Sequence, residues 1–314
     1  MENRAEHFLW VEKYRPQKIT DTILPNALKN TFQDFVTQQN IPNLLLTGTS
    51  GIGKTTVARA MLDEIGSDYM MINASLNGKK ETLHNEIGSF ASTVSWVGGR
   101  KYVILDEADH LSFHMQPALR NFMEEYAKSC GFILTCNYKN KILPAIHSRC
   151  CVVDFNISKK ESNKLAAQFF KRISEILAQE KVKFDSKVVA KLVQRHYPDW
   201  RRTLNELQRL ATSGVIDSSA LDDTNSDNLD VLVGLIKDKN YTEVRHWVKA
   251  NMHSDPGALM RAFYDSSIEL MNPQCVPEMV ILLARYQYQA AFAADPEINV
   301  MAFLAEAMVS IEFK

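Results

Sequence analysis

Apolar residues gather along this chain in two rhythms. In the first half, short unbroken runs recur at Leu44–Thr47, Tyr69–Ile72, Tyr102–Asp106, Phe132–Cys136 and Cys151–Phe155. Between most of them lie stretches with helical spacing, roughly Thr56–Ile65, Thr82–Val94 and Gln116–Lys128. Unbroken apolar strands alternating with helices predict an α/β domain built on a largely parallel five-stranded sheet, because such strands are covered on both faces. After Phe155 the rhythm changes. Leu165, Phe169, Ile173, Ile176 and Leu177 fall on one helical face, as do Val188, Val189 and Leu192. Pro198-Asp199 then interrupts, and Leu204, Leu207 and Leu210 resume the helical spacing. A small all-helical domain follows from this pattern.

Residues 217–228 are rich in Asp, Ser and Asn and read as a linker. Beyond them, Val231–Lys237, Tyr241–Asn251, Pro256–Met271, Val276–Ala294 and Val300–Ile311 are helical candidates, with no strand signal among them. The predicted organisation is therefore 1–155 as the sheet domain, 156–228 as a helical domain with its linker, and 229–314 as a second all-helical domain. Internal repeats and heptads are absent from the sequence. A chain of 314 residues is long for a single core, which fits such a division.

Composition changes this picture only modestly. The formal net charge is −1, but its distribution is uneven. Residues 155–212 carry 13 basic and 6 acidic side chains, and residues 213–314 carry 7 and 15. The basic segment has two readings, a solvated helical surface or a partner-binding face. The five cysteines have no CxxC spacing, and Cys150 and Cys151 are adjacent, so a reducing compartment and no zinc site are expected. No run approaches 18 apolar residues, and no apolar leader precedes a cleavage site, so a soluble protein with no membrane partner is expected.

The chemistry concentrates at strand ends. Gly48, Thr49, Ser50, Gly51, Ile52 and Gly53 connect the first strand to a helix that opens with Lys54, Thr55 and Thr56. Such a loop cradles phosphates with backbone N–H groups, and the helix N-terminus adds positive potential. Lys54 would reach the β- and γ-phosphates of a nucleoside triphosphate, and Thr55 would offer a hydroxyl to Mg2+. The third strand ends in Asp106-Glu107. Asp106 would face the Mg2+ ion and Glu107 the attacking water. Asn137 directly follows the fourth strand, where a side-chain amide can orient water or sense the γ-phosphate, although turns favour Asn for local reasons as well. Arg201-Arg202 opens a helix after Pro198-Asp199-Trp200. Closing over phosphates and lying on a solvated helix surface are equally compatible with that pair.

Taken in order, Glu12-Lys13-Tyr14-Arg15-Pro16, Gly51-Ile52-Gly53-Lys54-Thr55, Asp106-Glu107-Ala108-Asp109 and Ser148-Arg149-Cys150 resemble the sliding-clamp loader ATPase subunits of the AAA+ class. The resemblance spans essentially the whole chain and is greatest to the large, ATPase-active subunits of T-even bacteriophages. It implies an AAA+ sheet domain, a helical lid and a helical collar. Tyr14, Arg15 and Pro16 would lie against the adenine base. Asn137 would be the first nucleotide sensor and Arg201 the second, with Arg202 beside it. Arg149 would act in trans as an arginine finger on a neighbour's γ-phosphate. Implied partners are copies of the chain itself and a second, smaller subunit in an open ring, a sliding clamp, and primer–template DNA. DNA phosphates would meet Asn77, Gly78, Lys79 and Lys80, and the helix entered from Ser112 to Gln116. The implied location is the cytoplasm of a bacterial host.

Other readings compete. A related AAA+ motor such as a branch-migration helicase would need a winged domain, with strand signals that 229–314 lack. A structural clamp-loader subunit that does not hydrolyse ATP would have no chemical need for Lys54, Asp106, Glu107 and Arg149 together. A metabolic P-loop kinase accounts for neither Arg149 nor the helical last third.

Overall fold

Five parallel strands form the centre of the first half of the protein, in the spatial order β2-β3-β4-β1-β5. They are β1 (Leu44–Thr47), β2 (Tyr69–Asn73), β3 (Lys101–Asp106), β4 (Cys130–Cys136) and β5 (Cys151–Asp154). Leu44 of β1 is in register with Ile133 on one side and Cys151 on the other. This computed structural model describes residues 8–75, 80–95, 98–157, 159–212, 214–217, 225–252 and 255–313. The chain divides into two compact units, Met1–Ser218 and Ser219–Lys314.

Side-chain alternation along the inner strands builds two separate cores. Leu45, Val103, Leu105, Phe132 and Leu134 point to one face. There they meet α4 (Lys80–Ser92) through Ile87 and Ala91, and α5 (Met115–Glu125) through Leu119, Phe122 and Met123. Leu44, Leu46, Tyr102, Ile104 and Ile133 point to the other face. They pack on α2 (Asn26–Thr37), through Phe32 and Val36, and on α3 (Lys54–Ile65), through Val57, Ala58, Met61 and Leu62. Two-sided burial holds for the inner strands. The edge strands differ: in β5 only Val153 is buried, and in β2 only Ile72. A short helix α1 (Trp10–Lys13) precedes α2, and another, α6 (Pro144–His147), precedes β5.

The first unit continues with α7 (Lys159–Gln179), α8 (Ser186–His196) and α9 (Trp200–Ala211). Asp185 and Asp199 cap α8 and α9, each accepting a backbone N–H with its carboxylate. Leu165, Phe169, Ile173, Ile176, Leu177, Val188, Val189, Leu192 and Leu207 are buried, as their spacing predicts. The helical region also holds a two-residue parallel pair, β6 (Lys183–Phe184) with β7 (Val215–Ile216). Strands that short leave no period in a sequence.

The second unit contains α10 (Asn225–Lys237), α11 (Tyr241–Asn251), α12 (Pro256–Ser267), α13 (Val276–Ala290) and α14 (Pro296–Ser310). Leu232, Val244, Val248, Phe263, Leu282 and Phe303 lie in its core. Helix α10 starts four residues inside the stretch expected as linker. Small polar residues there suit a helix entrance as well as they suit a loop. Helix α14 likewise starts earlier than its apolar residues suggest, because Asp295 caps it and Pro296 occupies its first position.

Candidate functional site

The loop between β1 and α3 closes around its own lysine. Lys54 is 7% exposed, and its Nζ donates to the carbonyls of Gly48 and Thr49, each at 2.8 Å, and to Asn137 Oδ1 at 2.9 Å. Burial lowers the Lys54 pKa from its ordinary value, against the opposing pull of Cys136, Asp106 and Asp109. Two glycines make the loop possible. Gly53 sits just ahead of α3 at φ 97°, which a side chain would disfavour. Gly51 has φ 75°, and a Cβ there would fall 1.8 Å from Asp199 Oδ1. The Trp200 N–H donates to Gly51 O at 3.2 Å, so the first turn of α9 rests on the loop.

Asp106 ends β3 beside this loop. Its Oδ1 accepts the Thr55 hydroxyl at 2.7 Å and the Thr135 hydroxyl at 2.6 Å. Glu107 follows in a left-handed conformation, φ 55° and ψ 43°, and its N–H donates to Thr135 Oγ1 at 3.1 Å. Asp109 is buried, and its Oδ2 accepts the Tyr138 N–H at 3.3 Å, tying the turn after β3 to the turn after β4. Asn137, between β4 and Tyr138, meets Lys54 as described.

Lys54, Thr55, Asp106, Glu107, Thr135 and Asn137 border a cavity of about 440 Å³. Its lining includes Tyr14, Arg15 and Pro16, residues Ser50 to Thr56, Asp106, Glu107, Asn137 and Arg201. Gly48 and Thr49 are not among the lining residues; their carbonyls hold Lys54. Arg201 lines the cavity and Arg202 is not among its lining residues; the Arg202 N–H is taken up by the Asp199 cap. The N-terminal segment is held against the helical region from two directions. Lys13 Nζ and Tyr14 Oη both donate to Glu180, at 2.6 and 2.5 Å. Further back, Trp10 N–H donates to Gln208 Oε1 at 2.9 Å, and Gln208 Nε2 to Phe8 O at 2.8 Å. Burial pushes the Glu180 carboxyl up, but the Lys13 and Tyr14 bonds outweigh it and hold the pKa below the usual glutamate value.

The chemistry of the donor set fits a nucleoside triphosphate with Mg2+. The lining combines a helix N-terminus and a lysine, which suit phosphates, with two carboxylates beside them. Thr55 and Asp106 already lie within hydrogen-bond distance, which suits a hydroxyl and a carboxylate serving one small cation. Among the described residues no group of three or more His, Cys, Asp or Glu could hold a metal ion. Mg2+ beside phosphates needs only one or two protein oxygens.

Other residues singled out in the sequence lie elsewhere. Arg149 is outside the cavity lining. Its guanidinium bonds Glu124 on α5 through Nε at 2.7 Å and through Nη2, and Ala145 O through Nη1 at 2.7 Å. Ser112 is exposed ahead of α5, where its carbonyl accepts the Met115 N–H at 2.9 Å. Asn77, Gly78 and Lys79 lie outside the described residues, as does the side chain of Lys80, which opens α4. Thr135 and Glu180 carry no sequence signal and become visible only in three dimensions. Leu204, which shares its helical spacing with Leu207 and Leu210, is only half-buried and lines the cavity.

Comparison with known proteins gives the site its context. Residues 44–159 match the profile of the ATPase family associated with various cellular activities. Residues 161–222 match that of the sliding-clamp-loader large subunit AAA+ ATPase lid domain. The chain is 30% identical to the sliding-clamp-loader large subunit of Enterobacteria phage T4, over 99% of both chains. It is 34% identical to that of Escherichia phage RB69, over 77% of both. It is also 36% identical to the replication factor C small subunit of Archaeoglobus fulgidus, over 68% of this chain and 67% of the relative. Identity thus does not set the phage relatives apart from the archaeal one. The Thermotoga maritima RuvB Holliday junction branch migration motor superposes with a TM-score of 0.54 at 13% identity, covering 71% of this chain and 79% of that one. A likeness at that identity extends to the fold alone. No helix among the described residues is long and apolar enough to cross a membrane. With a parallel P-loop sheet, a helical lid and relatives aligned along its length, the chain belongs to the AAA+ clamp-loader family of ATPases.

Proposed function

We propose that this chain is the large, ATP-hydrolysing subunit of a bacteriophage-type clamp loader, which opens a ring-shaped sliding clamp and places it on primer–template DNA. One observation carries the reading. Asp106 accepts the Thr55 hydroxyl, and Lys54, Thr55, Asp106 and Glu107 line one cavity, in a chain whose relatives are named as clamp-loader subunits. The division 1–155, 156–228 and 229–314 then serves as nucleotide module, lid and collar. The collar would join copies of this chain and a smaller subunit in an open ring, in the cytoplasm of a bacterial host.

Lys54 leaves the Gly48 and Thr49 carbonyls to meet the β- and γ-phosphates, while Asn137 keeps hold of its ammonium. Thr55 and Asp106 would hold Mg2+, which when bound would supply neutralisation of charge on the phosphate oxygens. Glu107 orients and polarises the attacking water. Tyr14, Arg15 and Pro16 cover the base, and Arg201 approaches the phosphates from the lid. Arg149 serves the site of the next subunit, so hydrolysis waits for assembly. Asn77, Gly78, Lys79, Lys80 and Ser112 are the proposed phosphate contacts to DNA, and they favour duplex shape over sequence.

The deciding experiment compares ATP turnover by the chain alone, with its small subunit, with the clamp, and with primed or single-stranded DNA. Joint stimulation by clamp and primer–template is the expected result, and DNA unwinding that ignores the clamp would replace this reading with branch migration. In the same assay Glu107→Gln lowers turnover by about 100-fold or more, the usual weight of a positioned general base, while ATP still binds. Near-normal turnover in that variant removes Glu107 from the water-activating role.

A further inference from the structure

We infer that Thr135 is a positioning residue that sets both carboxylates of the site with a single hydroxyl, an inference that rests on the nucleotide-hydrolysing reading above. Thr135 lies on β4, in register with Leu46 of β1, and is 2% exposed. A threonine hydroxyl has one proton to give and lone pairs to receive. Here both are used, with opposite polarity. The proton goes to Asp106 Oδ1 at 2.6 Å, and a lone pair accepts the Glu107 N–H at 3.1 Å. An acceptor such as a carboxylate could not replace the first bond, and a donor such as an ammonium could not replace the second.

The two bonds matter for different reasons. Asp106 Oδ1 has two hydroxyl donors, Thr55 and Thr135. In the proposed complex Thr55 would offer its hydroxyl to Mg2+, and Thr135, buried on β4, would keep its bond to the carboxylate. The orientation of the Asp106 carboxylate in the working state is then set from β4. Glu107 occupies a left-handed backbone conformation that a glutamate does not favour on its own. Anchoring its N–H fixes that conformation and with it the direction in which the side chain leaves the backbone. The hydroxyl therefore couples the metal-facing carboxylate to the water-facing one, and β3 to the strand that carries Asn137.

A purely structural hydroxyl predicts lost stability and nothing else, so the test reads metal dependence. ATPγS binding to the full-length chain is titrated by calorimetry at increasing MgCl2 and again in EDTA. Losing an outer partner of a metal-facing carboxylate raises the half-saturating Mg2+ concentration about tenfold in Thr135→Val, against about threefold or less in Thr135→Ser. All forms bind alike in EDTA. An unchanged Mg2+ requirement in Thr135→Val overturns the inference. So does an equal shift in Thr135→Ser, which would assign the effect to the methyl group. If Thr135→Val does not fold, Thr135→Ala removes the same hydroxyl and is judged by the same two criteria. Asp106→Asn is the reference: if it leaves the Mg2+ requirement unchanged, the reading of the site fails, and the inference with it.

Discussion

The two units of this protein use buried space in opposite ways. In the first, polar groups converge. Lys54, Asp106, Thr135 and Asn137 meet where parallel strands end, and a cavity opens beside them. In the second, helices α10 to α14 close on apolar side chains, and ion pairs lie toward the surface, as Arg285 with Glu306 does at 2.8 Å. Parallel strands direct their carboxyl ends, and the loops that follow, to one edge of the sheet. A helix bundle has no such edge. The polar cluster and its cavity therefore lie in the first unit, and the second is built around an apolar core.

The comparison can be broken most forcefully at Arg149. In the assembled complex, Arg149→Ala should lower stimulated hydrolysis by on the order of 1,000-fold, while the isolated chain keeps its ATP affinity. Mixing Arg149→Ala with Lys54→Ala chains should restore some turnover, since an intact finger can then meet an intact site. Mixed complexes with no activity above either parent would confine the chemistry to the cavity's own residues.

A core deletion in the second unit tests its separate role. Phe303 is fully buried and packs edge-on against Phe263 and Tyr286, with ring centroids 6.0 and 5.8 Å apart. Phe303→Ala should cost about 3–5 kcal/mol of that unit's stability in denaturant titration. Nucleotide affinity should not move; a parallel loss of ATP binding would mean the units do not divide their tasks.

Lys54→Ala is the mirror experiment. Charge-assisted bonds to phosphate contribute about 1.5–3 kcal/mol each, so ATP should bind on the order of 100-fold more weakly or worse, with the melting of the second unit unaltered. Calorimetry on the variant settles it. Retained tight binding would place the phosphates elsewhere.

The smallest effect concerns pH. Burial lowers the Lys54 pKa in the folded, nucleotide-free chain. Between that lowered value and the ordinary lysine value, the unfolded state binds more protons than the folded one, so this group makes stability rise with pH across the window. Bound phosphate favours the charged amine, so ATP binding in the same window should take up a proton. Its affinity should fall as pH rises through the lowered pKa. Binding heats that do not vary with buffer ionisation enthalpy would show that Lys54 is already fully charged there.

Much of the first unit was legible because its signals are local. An apolar run, a glycine-rich turn and a helix entrance lie within a dozen residues around Lys54, and Asp106-Glu107 ends a strand outright. The contacts that fix the site are not local. Thr135 reaches Asp106 across 29 positions, Tyr14 reaches Glu180 across 166, and Trp10 reaches Gln208 across 198. No period or motif encodes such pairs; topology alone brings them together. Helix entrances at Asn225 and Pro296 were obscured for a different reason, since residues that cap helices are the residues that also make loops.

The bond from Trp200 N–H to Gly51 O, with Asp199 resting where a side chain at 51 would be, has a thermodynamic corollary. One backbone carbonyl belongs at once to the phosphate loop and to the footing of α9. If a neighbouring molecule tilts α9 and thereby alters ATP affinity by some factor, reciprocity requires ATP to alter the grip on that neighbour by the same factor. Loop and lid would then act as a single lever, with Gly51 as its fulcrum.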